Sequence, residues 1–328
     1  MKILAIQSKE SAVTKYRLDP LIALGAKKTS QLLRKNEEIE LGELAKRYKK
    51  KCDVLVIKYI QDIHTLDVIF SMRNIANFKV VVDVDDNIWN TPIGNATFTD
   101  GKLQAHKIVS LTESVKSADY VTVSTEPLKE IISPLNDNVV VLPNFINPSE
   151  WNFERKKNEK IRIGWVWSPT HFPDIQVIQK SLEKIIKKYP IELVIFGTEK
   201  NIFPFETTNI KGVKYTEYPK VFMEEGIDIS IAPLADNDFN KAKSNIKWLE
   251  SSMAGACFVG SRVYPYSKSI KQGKTGFLCN KEPSWTKTLS ALIENPLVMK
   301  QIAKSAKEEV MKNYSSNIKW KEFYASIK

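Results

Sequence analysis

Between Asn240 and Gly255 the chain reads NKAKSNIKWLESSMAG, which sets Lys243 and Lys247 at the start of a predicted helix. Ile246, Leu249 and Met253 recur at helical spacing, and Ser244 or Asn245 can supply the N-cap. A helix amino terminus carries about half a positive charge and free N–H groups, so lysines there raise the energy unless an anion sits among them. Phosphate is the usual anion in such a place. Lys243, Lys247 and Glu250 fall on one line, at i, i+4 and i+7. The carboxylate of Glu250 can accept hydrogen bonds from hydroxyls such as those of a ribose. Lys243, Ser244, Asn245, Lys247 and Glu250 together describe a pocket for a nucleoside diphosphate. The same letters also fit a solvated surface helix with an i, i+3 ion pair, and the run alone leaves both readings open.

Three other stretches carry candidate chemistry. Val80 to Asp86, VVVDVDD, is a buried strand that ends in carboxylates. Asp83, Asp85 and Asp86 lie at or just past its carboxyl end, where open α/β sheets meet their ligands. Asp85 or Asp86 can orient an acceptor hydroxyl or act as a base, and another carboxylate can cap the loop that follows. Asp83-x-Asp85 also has the form of a metal-holding DxD, but the two-domain order of elements does not belong with that site, and no metal is expected. Ile161 to His171, IRIGWVWSPTH, is a strand running into Ser168, Thr170 and His171, whose hydroxyls and ring suit phosphate or sugar oxygens. Trp165 and Trp167 are expected in the core or along the cleft wall. The opening loop, Gln7 to Arg17, has no glycine for a dinucleotide turn. Its Ser11, Lys15, Tyr16 and Arg17, with Asp83, are the acceptor-side candidates, and a plain solvated loop fits equally.

Short Val- and Ile-rich runs alternate with amphipathic stretches, the pattern of a parallel α/β sheet. Strands are expected at 2–6, 53–57, 79–84, 120–124 and 139–142, with helices near 20–33, 43–50, 65–75, 103–117 and 127–132. After a polar linker at 144–160, a second series places strands at 161–166, 192–196, 213–215, 227–231 and 257–261. Its helices fall near 175–188, 219–224, 244–255 and 285–294, and two more close the chain. The expected architecture is two Rossmann-like domains facing across a cleft, one over 1–150 and one over 151–310, with a terminal helix over 311–328 packing back on the first.

Length and composition agree with this. The chain has 328 residues, 43% of them hydrophobic, which is enough for two cores. MKILAIQSKES reads as a first strand rather than a signal peptide, and no run is long enough to span a membrane. Cys52, Cys257 and Cys279 lack metal-ligand spacing and suit a reducing, cytoplasmic setting. There is no G-x-S-x-G elbow, Walker A loop or H-E-x-x-H, and only three histidines are available as bases. The net charge of +11 fits a polyanion or an anionic membrane face, and equally a lysine-rich composition without such a partner.

VTVSTEPLKEII, VVVLPNFI, IRIGWVWSPTH, IDISIAPL, the 240–255 run and PYSKSIKQGKTGFL, in that order, resemble two-domain GT-B glycosyltransferases of the glycogen-synthase and mannosyltransferase type. The resemblance covers nearly the whole chain. VDVDDNIWNTP and SPTH are similar to a subgroup frequent in bacterial polysaccharide clusters and tailed phages. It implies a retaining transfer from a nucleotide-diphosphate sugar, with no tightly bound cofactor or metal. Glu250 matches the second of the family's two glutamates, the one that binds the ribose; Ala242 stands where the first belongs. The family's Arg and Lys pair after the first strand of the second domain is replaced by Ser168, Thr170 and His171. The Asp85–Asp86 pair falls where relatives carry a His-Asp. The acceptors implied are a surface glycan or lipid-linked sugar at the inner membrane face, or hydroxymethylated DNA; a non-catalytic nucleotide-sugar binder is the third reading. No protein partner is inferred.

Overall fold

The computed structural model describes residues 1–7, 12–29, 32, 39–58, 62–92 and 101–327, so Ser11 lies outside the described residues. Contacts divide the chain into two compact units. The first runs from Met1 to Asn90, resumes with the helix at Gly101 and continues to Phe145, and takes back the C-terminal segment from Ser316. The second comprises Ile146–Ser315.

The first unit contains β1 (Ile3–Gln7), α1 (Ala12–Ala23), β2 (Lys27–Thr29), α2 (Leu41–Lys51), β3 (Val54–Lys58), α3 (Ile63–Ala76), β4 (Lys79–Val84), α4 (Gly101–Ser117), β5 (Tyr120–Val123), α5 (Glu126–Ile132) and β6 (Val139–Val141). Its strands form one parallel sheet in the order β2-β1-β3-β4-β5-β6. A parallel sheet covered by helices is buried on both faces, which is why β3 (VLVIK) and β4 (KVVVDV) are nearly continuous apolar runs. Asp62 starts α3 by accepting from the N–H groups of His64 and Thr65, and Asn77 ends it in the left-handed region at φ 51°. The last helix of the chain, α13 (Ile318–Ser326), sinks Trp320, Phe323 and Tyr324 into the core made by Ile3, Leu18, Val54 and Val81.

The second unit contains β7 (Arg162–Val166), α6 (Ile175–Lys188), β8 (Glu192–Phe196), β9 (Thr208–Ile210), α7 (Tyr218–Glu225), β10 (Ile229–Ala232), α8 (Asp238–Ala242), α9 (Ile246–Met253), β11 (Cys257–Ser261), α10 (Tyr266–Ser269), β12 (Phe277–Cys279), α11 (Glu282–Glu294) and α12 (Pro296–Asn313). The sheet is again parallel, in the order β12-β11-β10-β7-β8-β9. Ile178, Leu182 and Ile185 form the inner stripe of α6 and pack on Ile163 and Ile195, each such buried side chain contributing about 1.5–3 kcal/mol. Trp165 lies in this core and Trp167 packs against it.

Several expected elements move. The strand expected at 213–215 is found at Thr208–Ile210, and the short strands β2 and β12 were not expected. The helix expected from Pro20 begins at Ala12 and carries Pro20 inside it. The opening loop is therefore shorter than expected, and Lys15, Tyr16 and Arg17 ride on α1 rather than on a loop. Among the described residues no helix is long and apolar enough to cross a membrane. Cys52, Cys257 and Cys279 are buried free thiols, and burial pushes Cys52 and Cys257 up to about 12.

One glycine sets the end of β7. Gly197 follows β8 at φ 99°, and a Cβ there would overlap the carbonyl oxygen of Trp167, the residue before Ser168. Gly197→Ala is expected to destabilise the protein by about 1–3 kcal/mol from backbone strain alone. Thermal unfolding checks this, and an unchanged midpoint would contradict the crowding described.

Candidate functional site at the switch point of the second sheet

In the second sheet the chain leaves β7 for β8 and β9 on one side, then returns to β10 on the other. The connections leaving the carboxyl ends of β7 and β10 diverge, and in open α/β sheets such a switch point is where ligands are held. Ser168, Thr170 and His171 follow β7 on a 3₁₀ turn, Pro169–Asp174. Ala235, α8, Lys243 and α9 follow β10. Residues distant in sequence thus arrive at one sheet edge.

Asp174 ties the two connections together. Its Oδ2 accepts from Nδ1 of His171 at 2.8 Å, while Oδ1 accepts from the Ala235 N–H at 2.7 Å and from Nδ2 of Asn240 at 3.1 Å. Sequence reasoning missed both Asp174 and Asn240. The available signal was the i, i+3 spacing of His171 and Asp174 in PTHFPD. Burial lowers the His171 pKa most, and the ammonium of Lys243 and, more weakly, that of Lys247 push the same way; Asp174 opposes them, and the ring ends at about 4. His171 is therefore neutral at pH 7. With the Nδ1–H donated to Asp174, Nε2 of the neutral ring carries a lone pair and is an acceptor. Beside it, the hydroxyls of Ser168 and Thr170 lie 2.6 Å apart.

α9 opens on this group. Asn245 is its N-cap residue but makes no side-chain cap, and donates instead to Oγ of Ser269 at 2.9 Å; Ser244 precedes it. Lys243 lies between α8 and α9, with its ammonium 4.8 Å from the centre of the Phe239 ring. Helix spacing carries Ile246, Leu249 and Met253 inward, and Trp248 fixes the far side by donating to the carbonyl of Thr275 at 2.9 Å. Glu250 is only 2% exposed, and its Oε2 accepts from the Tyr218 hydroxyl at 3.3 Å and from Nζ of Lys247 at 3.4 Å. The i, i+3 ion pair foreseen as the plain alternative is therefore present. A long contact from a lysine that is 30% exposed is worth at most about 1 kcal/mol, so an arriving dianion can draw Lys247 away. Burial also raises the Tyr266 phenol, with Asp174 and Glu250 adding to it, which keeps that neighbour neutral.

The first unit has a charge cluster of a different kind at the carboxyl ends of β3 and β4. Asp83 pairs in register with Thr122 on β5 and accepts its hydroxyl at 2.7 Å. Arg17 donates to Asp83 from Nε at 3.1 Å and from Nη2 at 2.7 Å, and its Nη1 reaches the Leu142 carbonyl. Lys58, 1% exposed, bridges Oδ2 of Asp83 at 3.1 Å and Oδ1 of Asp85 at 2.8 Å. Burial alone would raise the Asp83 carboxyl, but Arg17 and Lys58 outweigh it and hold it well below the usual carboxylate range. The Arg17 guanidinium lies 4.6 Å from the Trp320 ring, which anchors itself on the Pro143 carbonyl at 3.1 Å.

This corrects the acceptor-side expectation for Arg17, Tyr16 and Asp83. Tyr16 is 3% exposed, and Arg17 and Asp83 spend their bonding capacity on one another and on Lys58 and Thr122. Lys15 lies on the same helix and pairs with Asp19 at 2.6 Å. Nor is Asp83-x-Asp85 shaped for a metal, because the Lys58 ammonium occupies the place between the two carboxylates. Asp85 is buried just beyond β4, and Asp86 beside it is half-buried.

No protein-family model matches the chain, and no curated protein matches it by sequence. Solved structures do match over the full length. A sucrose-phosphate synthase from Thermosynechococcus elongatus superimposes with a TM-score of 0.69 at 10% identity, covering 100% of this chain and 99% of its own. Anabaena HepE in complex with UDP-glucose gives 0.69 at 12% identity, with 100% of both chains covered. An alpha-glucosyltransferase in complex with UDP-glucose and DNA containing an abasic site gives 0.67 at 15%, covering 100% of this chain and 99% of its own. With two parallel six-stranded sheets in tandem, the chain has the GT-B fold that glycosyltransferases such as these share.

Proposed function

We propose that the protein is a glycosyltransferase that takes its sugar from a nucleoside diphosphate sugar, the second unit holding the donor and the first facing the acceptor. The observation that carries this is the meeting of Lys243, Lys247 and His171 at the uncapped amino end of α9, on the switch point of a parallel sheet, with Glu250 buried one turn further on. Lysines and helix N–H groups placed there favour a diphosphate and stabilise the charge that grows on it as the sugar leaves. Ser168 and Thr170 are further phosphate or sugar contacts, and Ser244 and Asn245 complete the donor side. Asp85 and Asp86 are the carboxylates proposed to meet an acceptor hydroxyl. Because ammonium groups supply the positive charge, the reading needs no divalent metal; retention of the anomeric configuration is proposed from the family resemblance alone.

The acceptor proposed is a surface glycan or a lipid-linked sugar. DNA carrying hydroxymethylated bases is the second reading, favoured by the net charge of +11 and by the structural neighbour in complex with DNA. Turnover of a panel of uridine, guanosine, adenosine and thymidine diphosphate sugars, with and without EDTA, tests the donor assignment. Turnover of one donor, insensitive to EDTA, is expected; no turnover and no binding of any would refute it. A shift assay on plain and hydroxymethylated DNA at two salt concentrations separates the acceptors.

Glu250→Gln is expected to weaken nucleotide binding about tenfold, since a lost charge-assisted hydrogen bond costs about 1.5–3 kcal/mol. Calorimetric titration measures it, and an unchanged affinity would count against the ribose contact.

A further inference from the structure

His171 differs in kind from the lysines around it. Asp174 receives its Nδ1–H and is itself fixed by Ala235 and Asn240, so the ring can neither turn nor exchange tautomers without breaking that arrangement. Nε2 makes no hydrogen bond among the described residues. The charged groups acting on the ring are Lys243 after α8, Lys247 on α9 and Asp174 on its own turn. Behind these groups, Glu250 on α9 accepts from Lys247, and the neutral Tyr266 phenol on α10 lies in the field of Asp174 and Glu250. Without ligand the two ammonium groups and burial keep a second proton off the ring. A doubly charged diphosphate drawn to Lys243 and Lys247 reverses this: it cancels the field that opposes protonation and sets an anionic oxygen near a lone pair, a contact that repels until a proton lies between them.

We propose that binding of the nucleoside diphosphate sugar loads one solvent proton onto Nε2 of His171, turning an acceptor into a third cation of the phosphate cradle. The Nδ1 proton stays on the ring, bonded to Asp174, so the imidazolium is held from both sides. The cradle then carries its full charge only around its ligand, and donor affinity depends on pH although the lysines do not titrate near neutrality. This inference rests on the diphosphate reading of the site.

The chain has only three histidines, His64, His106 and His171, so ¹⁵N-histidine NMR resolves the ring directly. UDP-glucose and GDP-mannose are suitable probes at pH 7.5, because their phosphates hold no proton that titrates near neutrality. On saturation, His171 is expected to change from the neutral Nδ1–H form to the doubly protonated form. Calorimetry in two buffers of different ionisation enthalpy should show uptake approaching one proton per ligand. Affinity should fall as pH rises from 6.5 to 8.5 in the wild type and stay flat in His171→Gln. A probe that binds while His171 remains neutral and no proton is taken up would overturn the inference and leave the donor assignment standing. If neither these probes nor any member of the donor panel binds, both fall.

Discussion

Replacing Lys243 and Lys247 together by alanine is expected to cut sugar transfer a hundredfold or more, with each single change costing about tenfold or more. A charge-assisted contact to a phosphate is worth about 1.5–3 kcal/mol, and about 1.4 kcal/mol is a factor of ten in rate. The loss should fall on kcat as well as KM, because charge on the diphosphate is greatest as the bond to the sugar breaks. Lys241 supplies the control. It lies on α8 close in sequence, but its ammonium is turned to Asp236 at 3.0 Å, and Lys241→Ala should leave transfer within about twofold. Steady-state kinetics on the four proteins decides the matter. Wild-type rates in both single variants would refute the phosphate assignment, and an equal loss in Lys241→Ala would reduce it to a general effect of surface charge.

The largest effect on stability is expected at Arg17. Arg17→Met leaves the Asp83 carboxylate buried with one of its two cations gone, and breaking a buried pair from one side costs about 3–5 kcal/mol. Losing the contact with Trp320 adds to this, so the C-terminal helix should loosen with the same mutation. The pH dependence has a definite sign. The folded Asp83 carboxyl is held below its unfolded value of about 3.9, so its contribution is fully present above that pH and is lost as pH falls toward the folded value. Arg17→Met has lost most of the cause, and its stability should decline less steeply in acid. Urea unfolding of both proteins between pH 3 and 7 measures the two expectations. A cost below about 1 kcal/mol at neutral pH would show that the network contributes little.

Strands that sit centrally in a sheet were legible because their composition is dictated by burial on both faces: β4, β8 and β11 were expected at their observed limits. Edge strands are not so dictated. β2 is three residues, Lys-Lys-Thr, with no apolar side chain, and only its pairing with β1 makes it a strand. Pro20 misled the reading of α1, because proline is favoured in a first helical turn and here stands inside the helix. At the site, the 240–255 run and SPTH were visible because lysines at a helix start and hydroxyls after a strand are locally odd. Lys58 was not visible. A lysine at the end of VLVIK reads as a charge escaping to solvent, and only the neighbouring strand supplies Asp83 and Asp85 as its partners. Arg17 and Asp83 erred in the opposite direction, since charged residues near a strand end invite a ligand reading that their mutual bonding removes. Pattern along the chain reports burial well, whereas pairing across strands becomes known only when the sheet is assembled.

The most direct test is a crystal structure of the protein with a nucleoside diphosphate, UDP or GDP according to which binds. The phosphates are expected at the amino end of α9, within hydrogen-bond reach of Lys243 and Lys247, with Nζ of Lys247 drawn off Glu250 and the ribose toward its carboxylate. A nucleotide seated away from that helix end, with Lys247 still on Glu250, would contradict the assignment.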